Sequence, residues 1–195
     1  MTLIDLSSAA ARSVPFPCFI VAQAISEELE YHLLGWFEDG APWKLAVTDF
    51  YEQYEFDFRD VIEVPKPLEP LFSAAVLTQL RADIEALLGT SLGSQIDITA
   101  HKLNRTQRIR VHNDARPGGE THRLLIQLNR GWDEANGGLL MLFGGPEVET
   151  LSDIIVPVSR SAFGFEISDA SHHAVSEVYQ GDRFTLVFSF YARRV

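Results

Sequence analysis

Three side chains in this sequence have the types and spacing to hold a metal ion. In Arg110-Val-His112-Asn-Asp114, a histidine and an aspartate stand two apart at the end of an extended segment. Strand side chains alternate faces, so these two point to the same side. One imidazole nitrogen and one carboxylate oxygen can then cap the same ion. A second histidine from the distant pair His172-His173 completes two His and one carboxylate on one face of an octahedron. Three positions stay open for exchangeable ligands, a donor set suited to Fe(II). The paired histidines point to opposite faces of an extended chain, so only one of them can reach the metal.

A second chemical signal lies downstream. In Arg183-Phe-Thr-Leu-Val-Phe-Ser-Phe-Tyr191, one face carries Arg183, Thr185, Val187 and Ser189, and the other Phe184, Leu186, Phe188 and Phe190. A guanidinium pointing into a pocket needs an anionic partner, because a buried unpaired charge is costly. The planar fork of Arg suits a carboxylate, and a neighbouring Thr hydroxyl adds a further bond. A dicarboxylic cosubstrate can therefore meet the metal at one end and Arg183 at the other.

These residues resemble the core of the 2-oxoglutarate- and Fe(II)-dependent dioxygenases, most closely the prolyl 4-hydroxylase branch. The matching pattern is His112-x-Asp114, the Arg-led strand Arg123-Leu-Leu-Ile-Gln-Leu-Asn129, Trp132, Asn136-Gly137-Gly138-Leu-Leu-Met-Leu-Phe143, His173-Ala-Val-x-x-Val178 and Arg183. It covers residues 95 to 191, and Pro15-Phe-Pro-Cys-Phe-Ile-Val resembles the family's opening strand. Gln127 and Leu103 stand where many members have Tyr. The resemblance implies a double-stranded β-helix (jelly roll) braced by N-terminal α-helices, with Fe(II) held by His112, Asp114 and His173. It implies 2-oxoglutarate held by Arg183 and Thr185, with Gln127 on the same wall. His173 is the assigned ligand because it keeps the family offset to Arg183, with His172 the alternative. Arg110 and Arg116 are the candidate substrate contacts, although Arg110 can equally pair with an acidic neighbour.

The reaction so implied takes up O2, releases succinate and CO2, and hydroxylates an unactivated C–H bond. An amino-acid side chain, peptide-borne or free, is the expected substrate. One alternative keeps the cofactors but desaturates, cyclises or otherwise tailors a natural-product intermediate. Another is a non-catalytic jelly-roll binding module. The carboxylate of Asp114 argues against halogenation, since related halogenases replace it with a small residue so that chloride can bind.

Composition narrows the partners. A net charge of −11 argues against nucleic acid. No apolar run reaches the roughly 20 residues of a membrane span. One cysteine, Cys18, excludes an internal disulfide framework and fits a reducing cytoplasm. With 46% hydrophobic and 11% aromatic residues, the 195-residue chain reads as globular and is expected to form one domain.

The positioning elements can be read in order. Residues 1 to about 14 read as a loose arm, either docked or free, and Phe16 to Val21 as a strand. Ser26 caps a helix with Leu29, Leu33, Trp36 and Phe37 on one stripe and Gly40 beyond its end. Trp43 to Phe58 is extended and aromatic, either a strand over the core or a substrate-facing wall. A second helix is expected from about Leu71 to Leu88. Residues 1–94 thus form support for a core over 95–195, where eight short strands separated by Gly, Asn and Pro turns fit a mainly β jelly roll.

Overall fold

The computed structural model describes residues 2–193, so Met1, Arg194 and Val195, the ends of the expected domain, lie outside it. Its largest unit is an antiparallel sheet of eight strands: β1 (Ala10–Arg12), β2 (Cys18–Val21), β3 (Lys44–Val47), β4 (Glu52–Asp57), β5 (Leu92–Leu103), β7 (His122–Gln127), β10 (Ala162–Glu166) and β12 (Arg183–Ala192). Their spatial order is β1-β2-β10-β7-β12-β5-β4-β3. A second sheet orders β6 (Ile109–His112), β11 (His173–Val175), β8 (Leu140–Phe143) and β9 (Leu151–Ile155) as β6-β11-β8-β9. All eight strands expected after residue 94 are present, and together the two sheets make the jelly roll.

Two helices, α1 (Glu27–Asp39) and α2 (Ala74–Leu88), pack on the outer face of the large sheet. Ser26 accepts a hydrogen bond from the Leu29 amide at 3.1 Å and starts α1. Leu29, Leu33, Leu34 and Phe37 turn inward against Phe184, Leu186, Phe188 and Phe190 of β12. Each such buried side chain contributes about 1.5–3 kcal/mol relative to an exposed one. α2 begins later than the expected Leu71. Pro67 and Pro70 hold residues 66–72 in a 3-10 turn, and the Ser73 hydroxyl caps the true helix by accepting from the Val76 amide.

The N-terminal arm is docked. Ile4 and Leu6 are buried, Ile4 bridges Ile25, and β1 pairs with β2 at the edge of the large sheet. The docking rests on a non-local bridge to Ile25, which the short apolar run Leu3-Ile4-Asp5-Leu6 does not encode by itself. The aromatic stretch divides between its two readings. Phe56 lies in the core against Trp36, Phe37 and Trp43, whereas Phe50 and Tyr51 face the cavity between the sheets. Among the described residues, no helix is long and apolar enough to cross a membrane.

β2 and β10 approach closely because Gly164 faces the Phe19 ring. A Cβ there would lie 2.2 Å from Phe19 Cζ, and Phe19 is fully buried. Gly164→Ala is therefore expected to lower unfolding stability by about 1–3 kcal/mol, with the urea midpoint as the check.

Candidate metal centre

The site lies between the sheets, and strand register builds it. His112 closes β6 and His173 opens β11, and the two are directly opposed in the antiparallel pair, so both imidazoles leave the same face. Their ring centroids are 4.2 Å apart. Asp114 follows β6 in the left-handed region, φ 59°, a conformation that Asp tolerates. The turn brings its Oδ1 to 3.4 Å from His112 Nε2 and its Oδ2 to 3.3 Å from His173 Nε2. One donor atom from each residue lies within 4.8 Å of the others.

Backbone carbonyls orient both rings. His112 Nδ1 donates to Arg110 O at 2.9 Å, and His173 Nδ1 to Ser171 O at 2.8 Å. Each Nε2 is then the lone-pair nitrogen, aimed at the carboxylate, as a metal ligand requires. Phe50 stacks on the His112 ring at 4.7 Å, and Phe165 meets His173 edge-on at 5.0 Å. Burial, with His112 alongside, pushes the His173 imidazole down and favours its neutral form. Burial pushes the Asp114 carboxyl up, but the Arg123 guanidinium outweighs it and holds it well below the usual carboxylate range. Arg123 Nη1 donates to Asp114 Oδ2 at 2.6 Å, and its Nη2 reaches Glu120.

The chamber of about 280 Å³ continues from this cluster to Arg183 and Thr185. Arg183 is 4% exposed, and no carboxylate among the described residues pairs with it. Its Nε donates to Gly138 O at 2.8 Å and its Nη1 to Thr185 Oγ1 at 2.8 Å. Burial lowers the guanidinium to about 10, still charged at neutral pH. Gly138 has φ 61°, and a Cβ there would lie 2.9 Å from Arg183 Cδ, so the bare backbone makes room for the arginine stem.

No family model matches the chain. Prolyl 3-hydroxylase OGFOD1 of Mus musculus is 27% identical over 161 residues, 78% of this chain and 29% of that protein, so the chain spans less than a third of this relative. A Pseudomonas putida prolyl-4-hydroxylase structure superposes with TM-score 0.73 at 18% identity, covering 97% of this chain and 96% of that one. A Trichoplax adhaerens prolyl hydroxylase, in complex with a hypoxia inducible factor oxygen degradation domain peptide fragment, gives 0.72 at 13% identity over 90% and 83%. This chain has the fold of the 2-oxoglutarate–Fe(II) oxygenases.

Within that oxygenase fold the remaining expected residues fall in different places. Gln127 is buried behind Thr185, whose hydroxyl donates to Gln127 Oε1 at 3.1 Å. Arg116 is exposed at the chamber rim. Arg110 lies outside the chamber in an adjoining groove with Val47, Phe50 and Gln107, where its Nη1 donates to Asp49 O at 3.4 Å. His172 is not among the three clustered donors; it lines a neighbouring recess that His112 and Asp114 also border, with Phe50, Val111 and Pro146.

Several chamber residues escaped the sequence reading. Arg123 appeared only as the head of a strand, yet it pairs with Asp114. His101 lies in the chamber, half-buried. Burial, reinforced by Arg123 and Arg183, pushes its imidazole down to about 3, so it is neutral at working pH. Its signal was the alternation of Ile98 and Ala100, which puts Thr99 and His101 on the opposite face. Gln53 and Glu55 complete the wall from β4.

For the oxygenase fold, His112→Ala or His173→Ala is expected to abolish anaerobic Fe(II) binding, whereas His172→Ala retains it; calorimetric titration distinguishes them. Loss in the His172 variant alone would reverse the ligand assignment.

Proposed function

We propose that this chain is an Fe(II)- and 2-oxoglutarate-dependent dioxygenase that hydroxylates an unactivated C–H bond of an amino-acid side chain, peptide-borne or free. One observation carries the proposal. A single chamber holds two oriented imidazoles and a carboxylate at one end and a buried guanidinium with no protein anion at the other. A metal site alone would not need Arg183, and a structural cation would be paired. A keto-dicarboxylate that reaches both satisfies the two ends at once.

In this reading His112, Asp114 and His173 hold the iron, and Arg183 with Thr185 holds the far carboxylate. Bound Fe(II) and 2-oxoglutarate supply the activation of O2, with one oxygen atom going to the alcohol and one to succinate as CO2 leaves. The protein's residues supply position and exclusion. The Nδ1 bonds to Arg110 O and Ser171 O fix the rings, and Arg123 keeps Asp114 anionic. Gly138 O and Thr185 fix the guanidinium, while Gln127 fixes the Thr185 hydroxyl. Phe50, Tyr51, Leu125 and Leu140 line the chamber and limit water around the reacting bond.

A chamber of about 280 Å³ suits one dicarboxylate and one small side chain. The groove along residues 47–52 and 106–110 shares Phe50 and Tyr51 with the chamber, which gives a polypeptide a path past the site. The peptide in the Trichoplax relative and the prolyl activity named for the mouse relative support a peptide-borne residue. The single cysteine, Cys18, is buried and supports a reducing cytoplasmic setting.

Anaerobic Fe(II) protein is expected to show a weak visible charge-transfer band when 2-oxoglutarate is added. Arg183→Leu should weaken the cosubstrate by about 2–5 kcal/mol while leaving Fe(II) affinity nearly unchanged. Succinate release should rise with a true substrate whose product gains one oxygen by mass. A normal Fe(II) titration without any band, or cosubstrate affinity unaltered in Arg183→Leu, would refute the proposal.

A further inference from the structure

The charges lining the chamber can be balanced one by one. Asp57 pairs with Arg59, and Asp97 meets both Arg59 and the Tyr191 hydroxyl. Asp114 and Glu120 share Arg123. Arg183 awaits the proposed cosubstrate. Among the chamber's carboxylates Glu55 alone is left over, because no ion pair among the described residues includes it, and the exposed Arg116 at the rim is the cation likewise without one.

Its neighbour deepens the imbalance. Gln53 Nε2 donates to Glu55 Oε2 at 2.7 Å, while Gln53 Oε1 meets no donor although the residue is only 2% exposed. The amide cannot simply be turned over. Doing so would set its oxygen against the Glu55 carboxylate and lose the bond it makes. This wall therefore presents two acceptors side by side, one of them charged. Gln53 is buried and Glu55 half-buried at the chamber wall, and a buried acceptor such as Gln53 Oε1 calls for a donor.

The cosubstrate cannot supply one. 2-Oxoglutarate is a dianion without N–H or O–H groups at neutral pH, and Glu55 repels it. Glu55 lies opposite His101 on β5, which lies opposite Thr185 on β12, so it sits two strands beyond the proposed cosubstrate anchor. Tyr51 forms the adjoining wall; burial, helped by the negative charge of Glu55, pushes its phenol up. An aromatic ring beside a carboxylate suits a cation with several N–H donors.

Resting on the enzyme reading above, we propose that Glu55 and Gln53 Oε1 receive a protonated nitrogen group of the primary substrate. Two sources share that chemistry. One is the ammonium of a free amino acid, and the other is the basic side chain of a Lys or Arg in a polypeptide. Either would bind with its nitrogen at β4 and a C–H bond toward the metal cluster.

The test is an anaerobic titration of the full chain loaded with Fe(II) and 2-oxoglutarate, read by perturbation of the visible band. The probes are L-proline, L-lysine and L-arginine with their N-acetyl forms, and end-blocked peptides containing Lys or Arg against the same peptides containing norleucine. Removing the positive charge is expected to weaken binding at least about tenfold in the native protein. In Glu55→Gln that difference should shrink toward unity, and Gln53→Met should reduce it independently should the first variant fold poorly. A difference confined to free amino acids assigns the ammonium, and one confined to peptides assigns the basic side chain. Equal binding of charged and neutral probes, an undiminished difference in both variants, or no binding of any amine to protein that forms the band would overturn the assignment. Failure of the band itself would overturn the enzyme reading, and this assignment with it.

Discussion

The chamber depends on keeping one carboxylate charged where water scarcely reaches it. Removing Asp114 from solvent penalises its anion, and a lone buried carboxylate would take up a proton. Arg123 prevents this at 2.6 Å, and the two imidazole nitrogens at 3.3 and 3.4 Å are placed to share a cation with the carboxylate. These partners come from both sheets, since His112 and His173 belong to the smaller one and Arg123 to the larger. The carboxylate thus joins the two layers at the point where a metal would sit. Arg123 is in turn held by Glu120, so the charge sequence runs Glu120, Arg123, Asp114 and then the histidine pair.

Register extends the same logic across the floor of the chamber. Glu55, His101, Thr185 and Gln127 lie opposite one another on four adjacent strands, β4, β5, β12 and β7. A second row holds Asp97, Ser189 and Arg123. The reverse face of β12 carries Phe184, Leu186, Phe188 and Phe190 into the core against α1. A slip of one residue in β12 would bury Arg183 among phenylalanines and expose the core face to the chamber. Core packing therefore specifies the site register, and fold and site cannot be separated energetically.

This explains what the sequence disclosed and what it withheld. The faces of β12 follow from strict alternation, so Arg183 and Thr185 were legible as a pair pointing away from the aromatic face. His112 and Asp114 were legible because they stand two apart on one extended segment. His101 was half legible, as a polar residue opposite Ile98 and Ala100. Gln53 and Glu55 were not, because their position depends on β4 pairing with β5 across more than forty intervening residues, and no local pattern encodes that register. Arg123 had the right face but no visible reason to seek Asp114. The docking of Ile4 and Leu6 was hidden for the same cause, a non-local contact made by a short apolar run.

The two positions where tyrosines are common in the resembling family carry Leu103 and Gln127 here, and His101 explains how the chamber tolerates this. Leu103 is buried beside Trp132, Val175 and Val178, so it closes the inner end without a polar group. Gln127 reaches the chamber only through the Thr185 hydroxyl. A polar group on this wall is His101, opposite Thr185 in register. Its protonation would place a third cation near Arg123 and Arg183, and burial together with those two charges pushes the imidazole down. The imidazole consequently stays neutral, able to donate from one nitrogen and accept at the other. With Arg123 held by Asp114 and Glu120, Arg183 is, among the described residues, the buried arginine of the chamber that no carboxylate neutralises.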